Sequence, residues 1–386
     1  MDPLRIVLGN GSAGYLQGGG HWIIRVQYML GLRALGHHPI LLDLLCSSGN
    51  HHTDEAIISS FFNRLEEYGL KECGALLLLQ DDKGEQNLEA SCAYGKSMLE
   101  IKEIIRSADL LWNDCCAIRQ PLLGMFRHRV LMDLDPGHLQ VSALTADQDI
   151  QHHQVVFTIG KKMHDADCEV PTLDLHWRTC TPFVYMPLWQ VTADPGPNAA
   201  FTSVTHWTWG GELWWQDRLL SVSKRDAYLR YIELPQRVRR PFEIAAQIEH
   251  DDDTGDRENL ERHGWRVVHP WEVAGSPEAY QHYIGGSRAE ISCPKPIFRE
   301  LKTGWLSDRS VCYLASGRPV LAEDTGFTDY LPTGKGLVAF RDMEEAVAGV
   351  VSIDSDYHQH ARAARALAEE FFDSRRCLTA ILDACG

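Results

Sequence analysis

The chain has 386 residues, 44% of them hydrophobic, which is ample for two domains of ordinary size. Its net charge of −16 opposes binding to phosphate backbones, so we expect no nucleic acid partner. The 11 scattered cysteines include no Cys-x-x-Cys pair, which indicates neither a zinc site nor a disulfide framework. With no signal-peptide pattern and no apolar run near the roughly 20 residues of a membrane span, we expect a cytoplasmic protein without a transmembrane segment.

The first part of the chain predicts a β-α-β unit. Residues 4–8 form an apolar strand, a glycine-rich loop follows at 9–20, and a helix is predicted at 21–35. A second strand at 39–45 completes the unit, which implies a parallel sheet. The loop has the Gly-x-Gly-x-x-Gly spacing of a dinucleotide site, but the helix begins too late after it. Asp43 stands where a ribose-binding acid would, which keeps a Rossmann oxidoreductase as a minor alternative.

Short apolar strands continue along the first half of the chain. They are predicted at 75–79, 110–112, 129–132 and 155–159, which gives five or six β/α units before about residue 190. The sequence Asp-Pro-Gly-Pro-Asn at 194–198 is a cluster of structure breakers. We therefore predict a first domain at 1–193, a second domain at 194–365 and a C-terminal helix at 366–386.

The stretch from 295 to 327 is predicted to run as loop, helix, tight turn, strand and loop. Ser307 or Asp308 can cap the helix, and Gly317 ends it. In open α/β sheets, ligands bind at the carboxyl ends of strands and at helix N-termini. The basic and hydroxyl side chains around this helix start therefore predict a phosphate site: Lys295, Lys302, Ser307, Arg309 and Ser310.

Residues 314–320, Leu-Ala-Ser-Gly-Arg-Pro-Val, resemble the AxGxPV helix-turn-strand in the nucleotide-sugar domain of GT-B glycosyltransferases. The later segments Gly-Lys-Gly-Leu-Val-Ala-Phe and Glu-Glu-Ala-Val-Ala-Gly-Val follow in the order of that family's C-terminal half. The resemblance runs from Phe242 to the end. It implies an α/β protein of two Rossmann-like domains that face across a cleft, with a C-terminal helix that crosses back to the first domain.

One feature departs from the family-four-like, or group 1, glycosyltransferases that the C-terminal domain resembles. Many retaining members carry a Glu-x7-Glu pair, whose second Glu lies in this helix. The alignment puts Gly304 and Cys312 at the two positions, and neither can bind ribose hydroxyls as a carboxylate does. Asp308, Glu323 or Asp324 would have to take that role.

The resemblance implies transfer of a hexose from a nucleotide-diphosphate sugar to a small or medium, natural-product-like acceptor. It implies neither a cofactor nor a metal, because helix dipoles and basic side chains can carry the diphosphate charge. In a plainer interpretation, Lys224 is an exposed helix charge and Arg309 pairs with Asp308 or Glu300. The expected donor-binding residues are Ser223, Lys224, Lys295, Trp305, Ser307, Asp308, Arg309, Ser310, Thr325 and Gly326.

His21 is the leading candidate for the base that deprotonates the acceptor hydroxyl. Histidine titrates near neutrality, and inverting members of the family often place one in this first loop. The three residues before it, Gly18, Gly19 and Gly20, are expected to line the acceptor site. Asp135, in an Asp-Pro-Gly turn after a strand, is the second candidate base. The alternatives are a helix-start histidine without chemistry and an aspartate that only forms a turn.

Four tryptophans lie within residues 207–215. Flat aromatic faces stack on sugars and nucleobases, so these side chains could form a ligand platform. The alternative is an apolar patch that packs beneath a loop.

Two other function classes stay open at this point. A sugar-nucleotide epimerase of the same architecture would need extra carboxylates in the cleft and no acceptor. A protein that has lost catalysis would keep the nucleotide-sugar site alone.

Overall fold

The computed structural model describes residues 2–80, 86–248 and 254–385. The strands of the first sheet are β1 (Arg5–Asn10), β2 (His38–Cys46), β3 (Gly74–Leu79), β4 (Ser91–Tyr94), β5 (Leu110–Asp114), β6 (Arg129–Asp133), β7 (Val155–Thr158) and β8 (Trp177–Thr179). Their order in space is β4-β3-β2-β1-β5-β6-β7-β8. Neighbouring strands are parallel except for β3 and β4. The order reverses at β1, and such a switch point is where open α/β sheets bind ligands.

The second sheet repeats this topology. It contains β9 (Phe201–Val204), β12 (Phe242–Ala245), β13 (Trp265–Val268), β14 (Ala289–Ser292), β15 (Val320–Glu323) and β16 (Leu337–Phe340). All its strands are parallel, in the order β13-β12-β9-β14-β15-β16, so the switch point lies between β9 and β14. A separate antiparallel hairpin pairs β10 (Glu212–Trp215) with β11 (Arg218–Ser221).

Helices alternate with these strands. In the first domain they are α1 (Gly19–Ala34), α2 (His51–Glu67), α3 (Met98–Ser107) and α4 (His138–Ser142). In the second they are α5 (Lys224–Leu229), α6 (Leu234–Val238), α7 (Asp256–Arg262), α8 (Pro270–Ala274), α9 (Pro277–Gly286), α10 (Pro296–Glu300) and α11 (Asp308–Ala315). The last three are α12 (Met343–Ser355), α13 (Tyr357–Phe371) and α14 (Ser374–Asp383).

Strand β1 shows why these sequences form central parallel strands. Its consecutive residues Ile6, Val7 and Leu8 are all 0% exposed. Successive side chains of a strand point to opposite faces, so both faces of the sheet are covered at this position. A continuous apolar run is therefore the expected sequence, and the short apolar strands of the prediction are confirmed here.

The two domains share buried surface along α1. The largest cluster of buried apolar side chains includes Trp22 from α1, Tyr280 from α9 and Leu378 from α14. The start of α1 approaches the second domain so closely that a Cβ atom on Gly19 would collide with the backbone oxygens of Ala274 and Ser276. Glycine is required at this contact because any side chain would push the domains apart.

The C-terminal helix crosses back to the first domain, as the resemblance implies. The chain bends after α13, where Val184 N–H donates to Phe372 O at 2.9 Å and Ser374 N–H donates to Val184 O at 2.9 Å. Helix α14 then packs on α1, where a Cβ on Gly31 would lie 2.7 Å from Leu378 Cδ1. Among the residues given above, every helix is too short or too polar to cross a membrane.

Two details differ from the prediction. The first helix begins at Gly19 rather than His21, because the backbone after Gly18 already has helical hydrogen bonds, with Trp22 N–H donating to Gly18 O at 3.0 Å. Trp214 and Trp215 of the tryptophan-rich segment lie on β10 of the hairpin, whereas Trp207 and Trp209 lie in the loop before it. Trp215 Nε1 of this hairpin donates to Glu169 O of the first domain at 3.0 Å, so the hairpin spans the two domains.

Candidate functional site

The carboxyl ends of the two sheets face each other across a cleft. From the second domain, His206 follows β9 and Lys295 follows β14, the two strands at its switch point. His206 Nε2 lies 3.2 Å from Nε2 of His21, and Lys295 Nζ lies 2.9 Å from Oδ2 of Asp135. We call the space around these four residues and Lys224 the interdomain cleft. It occupies the place where ligands bind in open α/β sheets.

Lys295 lies among a carboxylate, an imidazole and two aromatic rings. Its ammonium donates to Asp135 Oδ2 at 2.9 Å, and its Nζ lies 3.1 Å from His138 Nδ1. It also lies 5.1 Å from the ring centroid of Trp209 and 5.6 Å from that of Phe298. An ammonium held by one carboxylate and two aromatic faces keeps donor capacity for a further anion.

Asp135 is held ionised by the same contacts. Burial acts to raise the pKa of its carboxyl, but the hydrogen bond from His138 and the charge of Lys295 bring it below its ordinary value. A carboxylate stabilised in this way is a weak base. The role of Asp135 as a base for the acceptor stays a prediction.

His21 and His206 form a pair of neutral imidazoles. Burial lowers the pKa of His21 to about 3, with further lowering by His206, Arg25 and Lys224. The pKa of His206 is also lowered, by burial first and then by the charge of Lys224. The ring of Tyr15 stacks on His21 with centroids 4.3 Å apart. A neutral imidazole has a lone pair on one nitrogen, which is what a proton acceptor needs, and the contact between the two Nε2 atoms occupies the lone pair of one of these rings.

Lys224 is a cation without a counterion. Its ammonium makes no hydrogen bond or ion pair within the part of the chain that the structure describes, and it lies 5.9 Å from the Trp305 ring centroid. Burial lowers its pKa to about 7, and the positive charges of Arg309 and Lys295 add to this lowering. A desolvated lysine beside like charges is stabilised by any anion that enters, so this side chain marks a binding site for an anion.

The first helical turn of α11 is occupied by its own side chains. Ser307 Oγ accepts from Arg309 N–H at 3.2 Å, and Asp308 Oδ1 accepts from the same N–H at 2.7 Å. Ser310 is fully buried, with Oγ 3.4 Å from Ser292 Oγ. The Ser307 hydroxyl thus caps the helix and the Ser310 hydroxyl contacts the sheet, and contact of either one with a phosphate stays a prediction.

Arg309 is tied to the sheet below the cleft. Its guanidinium donates to the carboxylate of Glu290, to Val204 O at 2.8 Å and to Ser292 Oγ at 3.0 Å. The ion-pair partner is Glu290 on β14, whereas the sequence suggested Asp308 or Glu300. Strand pairing places Glu290 beside the helix, and that placement is not visible from spacing along the chain. Arg309 thus contributes its charge to the cleft from a buried position.

The remaining donor candidates separate into two groups. Trp305 lies beside Lys224, is 8% exposed, and has an indole N–H without a hydrogen-bond partner. Thr325 Oγ1 donates to Trp305 O at 2.6 Å and so supports that tryptophan. Gly326 packs against Lys162 of the first domain, since a Cβ there would lie 2.5 Å from Lys162 Cδ. Its φ of +99° also favours glycine at this position. Ser223 directly precedes α5, but its hydroxyl donates to Trp207 O at 3.2 Å instead of capping the helix.

The suggested ribose-binding carboxylates are partly in use. Glu323 accepts from Arg230 Nη1 at 2.6 Å and from Tyr231 Oη at 3.0 Å. Asp324 accepts from Arg341 Nη2 at 2.8 Å. Asp308 lies in the cleft, where its charge raises the pKa of Arg25, and its Oδ2 has no hydrogen-bond partner in the described chain. Within the described residues, Asp308 Oδ2 and the buried Oε2 of Glu323 are both left without a hydrogen-bond partner, whereas both oxygens of Asp324 are engaged.

The glycine loop has a structural role of its own. A Cβ on Gly20 would lie 3.2 Å from Tyr280 Cε2, and Gly19 contacts the second-domain backbone, so this segment packs the domains together. Asp43 is fully buried and accepts from Ser12 N–H at 2.8 Å and Ala13 N–H at 3.0 Å. The proposed ribose-binding role of Asp43 is therefore wrong, because both its oxygens hold the loop.

The sequence prediction missed part of the cleft. His206 directly follows a switch-point strand, and that position was the signal that could have identified it. Arg25 Nη1 donates to Asp114 Oδ2 at 2.5 Å, and the same oxygen accepts from Asn10 Nδ2 at 3.0 Å. Arg25 gave no such signal, because it looks like an ordinary charge within a helix. Asn10 and Asp114 end β1 and β5, so topology alone would have pointed to them.

Comparison with known proteins adds the fold class. Neither the protein-family models nor the curated protein sequences match this chain. Among solved structures, Anabaena HepE in complex with UDP and glucose aligns with a TM-score of 0.58 and 12% identity, over 99% of this chain and 100% of that one. An alpha-glucosyltransferase in complex with UDP and a 13-mer DNA aligns with a TM-score of 0.61 and 9% identity, over 100% of both chains.

Sucrose-phosphate synthase from Thermosynechococcus elongatus aligns with a TM-score of 0.52 and 11% identity, over 99% of this chain and 100% of that one. All three are glycosyltransferases with two Rossmann-like domains. The chain has the GT-B fold. At these identities the likeness concerns the fold alone. One of these structures contains DNA, so the absence of a nucleic acid partner stays a prediction.

Proposed function

We propose that the protein is a glycosyltransferase that moves a hexose from a nucleotide-diphosphate sugar to a hydroxyl group of a small or medium acceptor. The observation that carries the proposal is Lys224, a half-buried lysine of the interdomain cleft whose ammonium makes no ion pair or hydrogen bond within the described residues. The fold, and the UDP in two of the similar structures, support the choice of a nucleotide diphosphate as the anion.

The diphosphate would bind against the second domain. Lys224 and Lys295 would contact its oxygens, and the buried charge of Arg309 would add a longer-range attraction. As the bond between the sugar and the diphosphate breaks, the bonding electrons move onto a phosphate oxygen. Fixed cations in a site without much water stabilise that growing charge strongly. The proposed reaction therefore needs neither a metal nor a cofactor.

The acceptor would enter from the first domain. Its hydroxyl oxygen bonds to the anomeric carbon, and its proton passes to the free nitrogen of His21. Burial lowers the pKa of His21 most, and the charges of His206, Arg25 and Lys224 lower it further, to about 3. A bound diphosphate would offset the part that those charges contribute and so raise this pKa. His21 would thus gain basicity only when the donor is present. This coupling would limit hydrolysis of the donor before the acceptor arrives.

The test is an incubation with a panel of UDP-, ADP- and GDP-sugars, with and without candidate acceptors, followed by assay of free nucleoside diphosphate. Release that depends on an acceptor is the expected result, and EDTA should not change it. A changed sugar without release would identify an epimerase, and binding without chemistry would identify a nucleotide-sugar-binding protein. The Lys224→Met variant is the matched control, and release of nucleoside diphosphate that depends on this cleft should fall in it.

The proposal would fail if no nucleotide sugar shifts the thermal unfolding temperature of the protein. A His21→Ala variant separates binding from chemistry. We expect it to bind the donor as well as the unmodified protein does and to turn over slowly. Full turnover in this variant would remove His21 as the base.

A further inference from the structure

A cavity of about 490 Å³ lies away from the interdomain cleft, at the other end of the first sheet. It is bounded by the carboxyl ends of β7 and β8, by the loops before α11 and after β15, and by α14. Strand β7 is three strands from β1, which corresponds to about 14 Å across the sheet. None of His21, Asp135, Lys224 and Lys295 lines it.

The inner wall of this cavity is apolar. Buried side chains from both domains and from the C-terminal helix line it: Phe157, Ile159, Leu306, Phe327, Phe372 and Ile381. A volume of this size is typical of sites that bury most of a small organic ligand. The wall therefore suits an apolar body rather than a bare ion.

Three basic residues stand at the same cavity. Lys161, Arg178 and Arg376 all line it, and none forms an ion pair within the described residues. Their recorded hydrogen bonds go to neutral groups, from Lys161 Nζ to Thr179 Oγ1 at 3.4 Å and from Arg376 Nη1 to Glu370 O at 2.5 Å. Such clustering is unexpected in a chain of net charge −16, where carboxylates outnumber basic groups.

The basic groups converge on one side of the cavity. Burial raises the pKa of the Cys377 thiol to about 12; the positive charges of Arg376 and Lys161 oppose that rise, and the carboxylate of Asp373 adds to it. Two positive charges thus act at Cys377 from separate parts of the chain: Lys161 follows β7, and Arg376 belongs to α14. An anionic group near Cys377 would be within reach of both.

We propose that this cavity binds an anionic amphiphile, a carboxylate or phosphate monoester that carries a medium-length apolar chain. The apolar chain would lie against the buried wall, and the anionic head would meet Lys161, Arg178 and Arg376. Because such a ligand would contact both domains and α14 at once, it would stabilise the domain arrangement described above. The proposal is independent of the chemistry in the interdomain cleft.

The test compares four probes by calorimetry and by thermal unfolding of the full chain, at concentrations where each probe is monomeric. Decanoate and decyl phosphate supply the chain with an anionic head. Decyltrimethylammonium supplies the same chain with a cationic head, and acetate supplies the charge alone. We expect saturable binding of the first two, with a raised unfolding temperature, and none of the last two. A preference for decyl phosphate or for decanoate would tell which kind of head the site takes.

Variants locate the binding. Arg178→Gln should weaken decanoate binding about tenfold, the loss expected for one charge-assisted contact. Arg362→Gln, a substitution of an exposed arginine without an ion pair, is the matched control and should change nothing. Ala380→Trp places a large side chain at the cavity on an exposed position of α14 and should reduce binding without affecting the core.

Three results would overturn the proposal. One is the absence of decanoate and decyl phosphate binding, and another is equal binding of the cationic probe. The third is decanoate binding that survives both Arg178→Gln and Ala380→Trp, which would place the ligand elsewhere. Release of nucleoside diphosphate from a nucleotide sugar is measured in the same samples. Its loss or retention does not change how the binding results are interpreted.

Discussion

Lys224 connects the sequence, the electrostatics and the proposed chemistry in one side chain. At the sequence level it was a helix charge with two open interpretations. Its tertiary environment lowers its pKa to about 7, because burial and two neighbouring cations disfavour the charged form. Asp135 shows the opposite behaviour, since the hydrogen bond from His138 and the charge of Lys295 outweigh its burial. Residue type alone specifies neither of these states.

We expect Lys224→Met to weaken UDP binding while leaving uridine binding nearly unchanged. A charge-assisted contact is worth about 1.5–3 kcal/mol, so the loss should be at least about tenfold for the diphosphate. Lys335→Met, which removes an exposed lysine before the amino end of β16, is the matched control. Isothermal calorimetry measures both ligands. Equal losses for UDP and uridine would mean that Lys224 does not touch phosphate.

The pKa of Lys224 predicts a pH dependence of that binding. In the free protein the pKa is about 7, and a bound diphosphate would raise it towards the ordinary value of about 10.4. Because the pKa of Lys224 is higher in the complex than in the free protein, UDP affinity is fully present below about pH 7 and falls as the pH rises above that value. UDP binding at about pH 8 should therefore take up a proton. Calorimetry in buffers of different ionisation enthalpy measures this uptake, and Lys224→Met should abolish it.

Asp135→Asn should tighten UDP binding, because it removes the carboxylate that competes with phosphate for Lys295. The same change should lower stability, since Lys295 is buried and loses its charged partner. Asp174→Asn removes the same charge from an exposed position and is the control. Binding and thermal unfolding are measured in parallel. Weaker UDP binding in Asp135→Asn would show that this carboxylate helps the ligand rather than competing with it.

At the scale of elements, α1 and the hairpin of β10 and β11 decide how the domains meet. Helix α1 begins at a glycine because backbone atoms of the second domain occupy the place of a side chain. The hairpin reaches the first domain through the indole N–H of Trp215. The sequence indicated a glycine loop and a tryptophan-rich stretch, but their contact partners lie far away along the chain.

Gly19→Ala should loosen this contact. The new Cβ would overlap the carbonyl oxygens of Ala274 and Ser276, and backbone atoms cannot move aside as a flexible side chain does. We expect a loss of about 1–3 kcal/mol in the free energy of unfolding. Gly14→Ala is the matched control, because a Cβ there meets no atom within 4 Å. Chemical denaturation measures both variants, and similar stability in the two would contradict the close contact.

At the scale of the whole molecule, one apolar cluster joins the two domains. It includes Trp22 of the first domain, Tyr280 of the second and Leu378 of the C-terminal helix. Because the two domains bury apolar surface against each other, unfolding of one domain would expose part of the other. The C-terminal helix strengthens this coupling, because it belongs to the end of the chain and packs on α1 near its beginning.

We therefore expect one cooperative thermal transition for the full chain. Leu378 is fully buried, and Leu378→Ala should lower the free energy of unfolding by about 2–5 kcal/mol, as deletions of large buried side chains do. Differential scanning calorimetry measures the number of transitions and the shift. Two separate transitions in the unmodified protein would show that the shared cluster does not couple the domains.

The sequence by itself determined the alternation of strands and helices and the α/β class, while the crossing C-terminal helix was implied only by the resemblance. Hydrophobic period and turn residues act locally, and the motif around Gly317 carried the resemblance to the GT-B fold. Only the tertiary structure decided which side chains meet, such as His21 with His206 and Arg309 with Glu290. Those pairings depend on strand order and domain contact, which bring together residues as distant along the chain as His21 and His206, 185 positions apart. The protonation states in the cleft follow from the same contacts, because burial and neighbouring charges set each pKa.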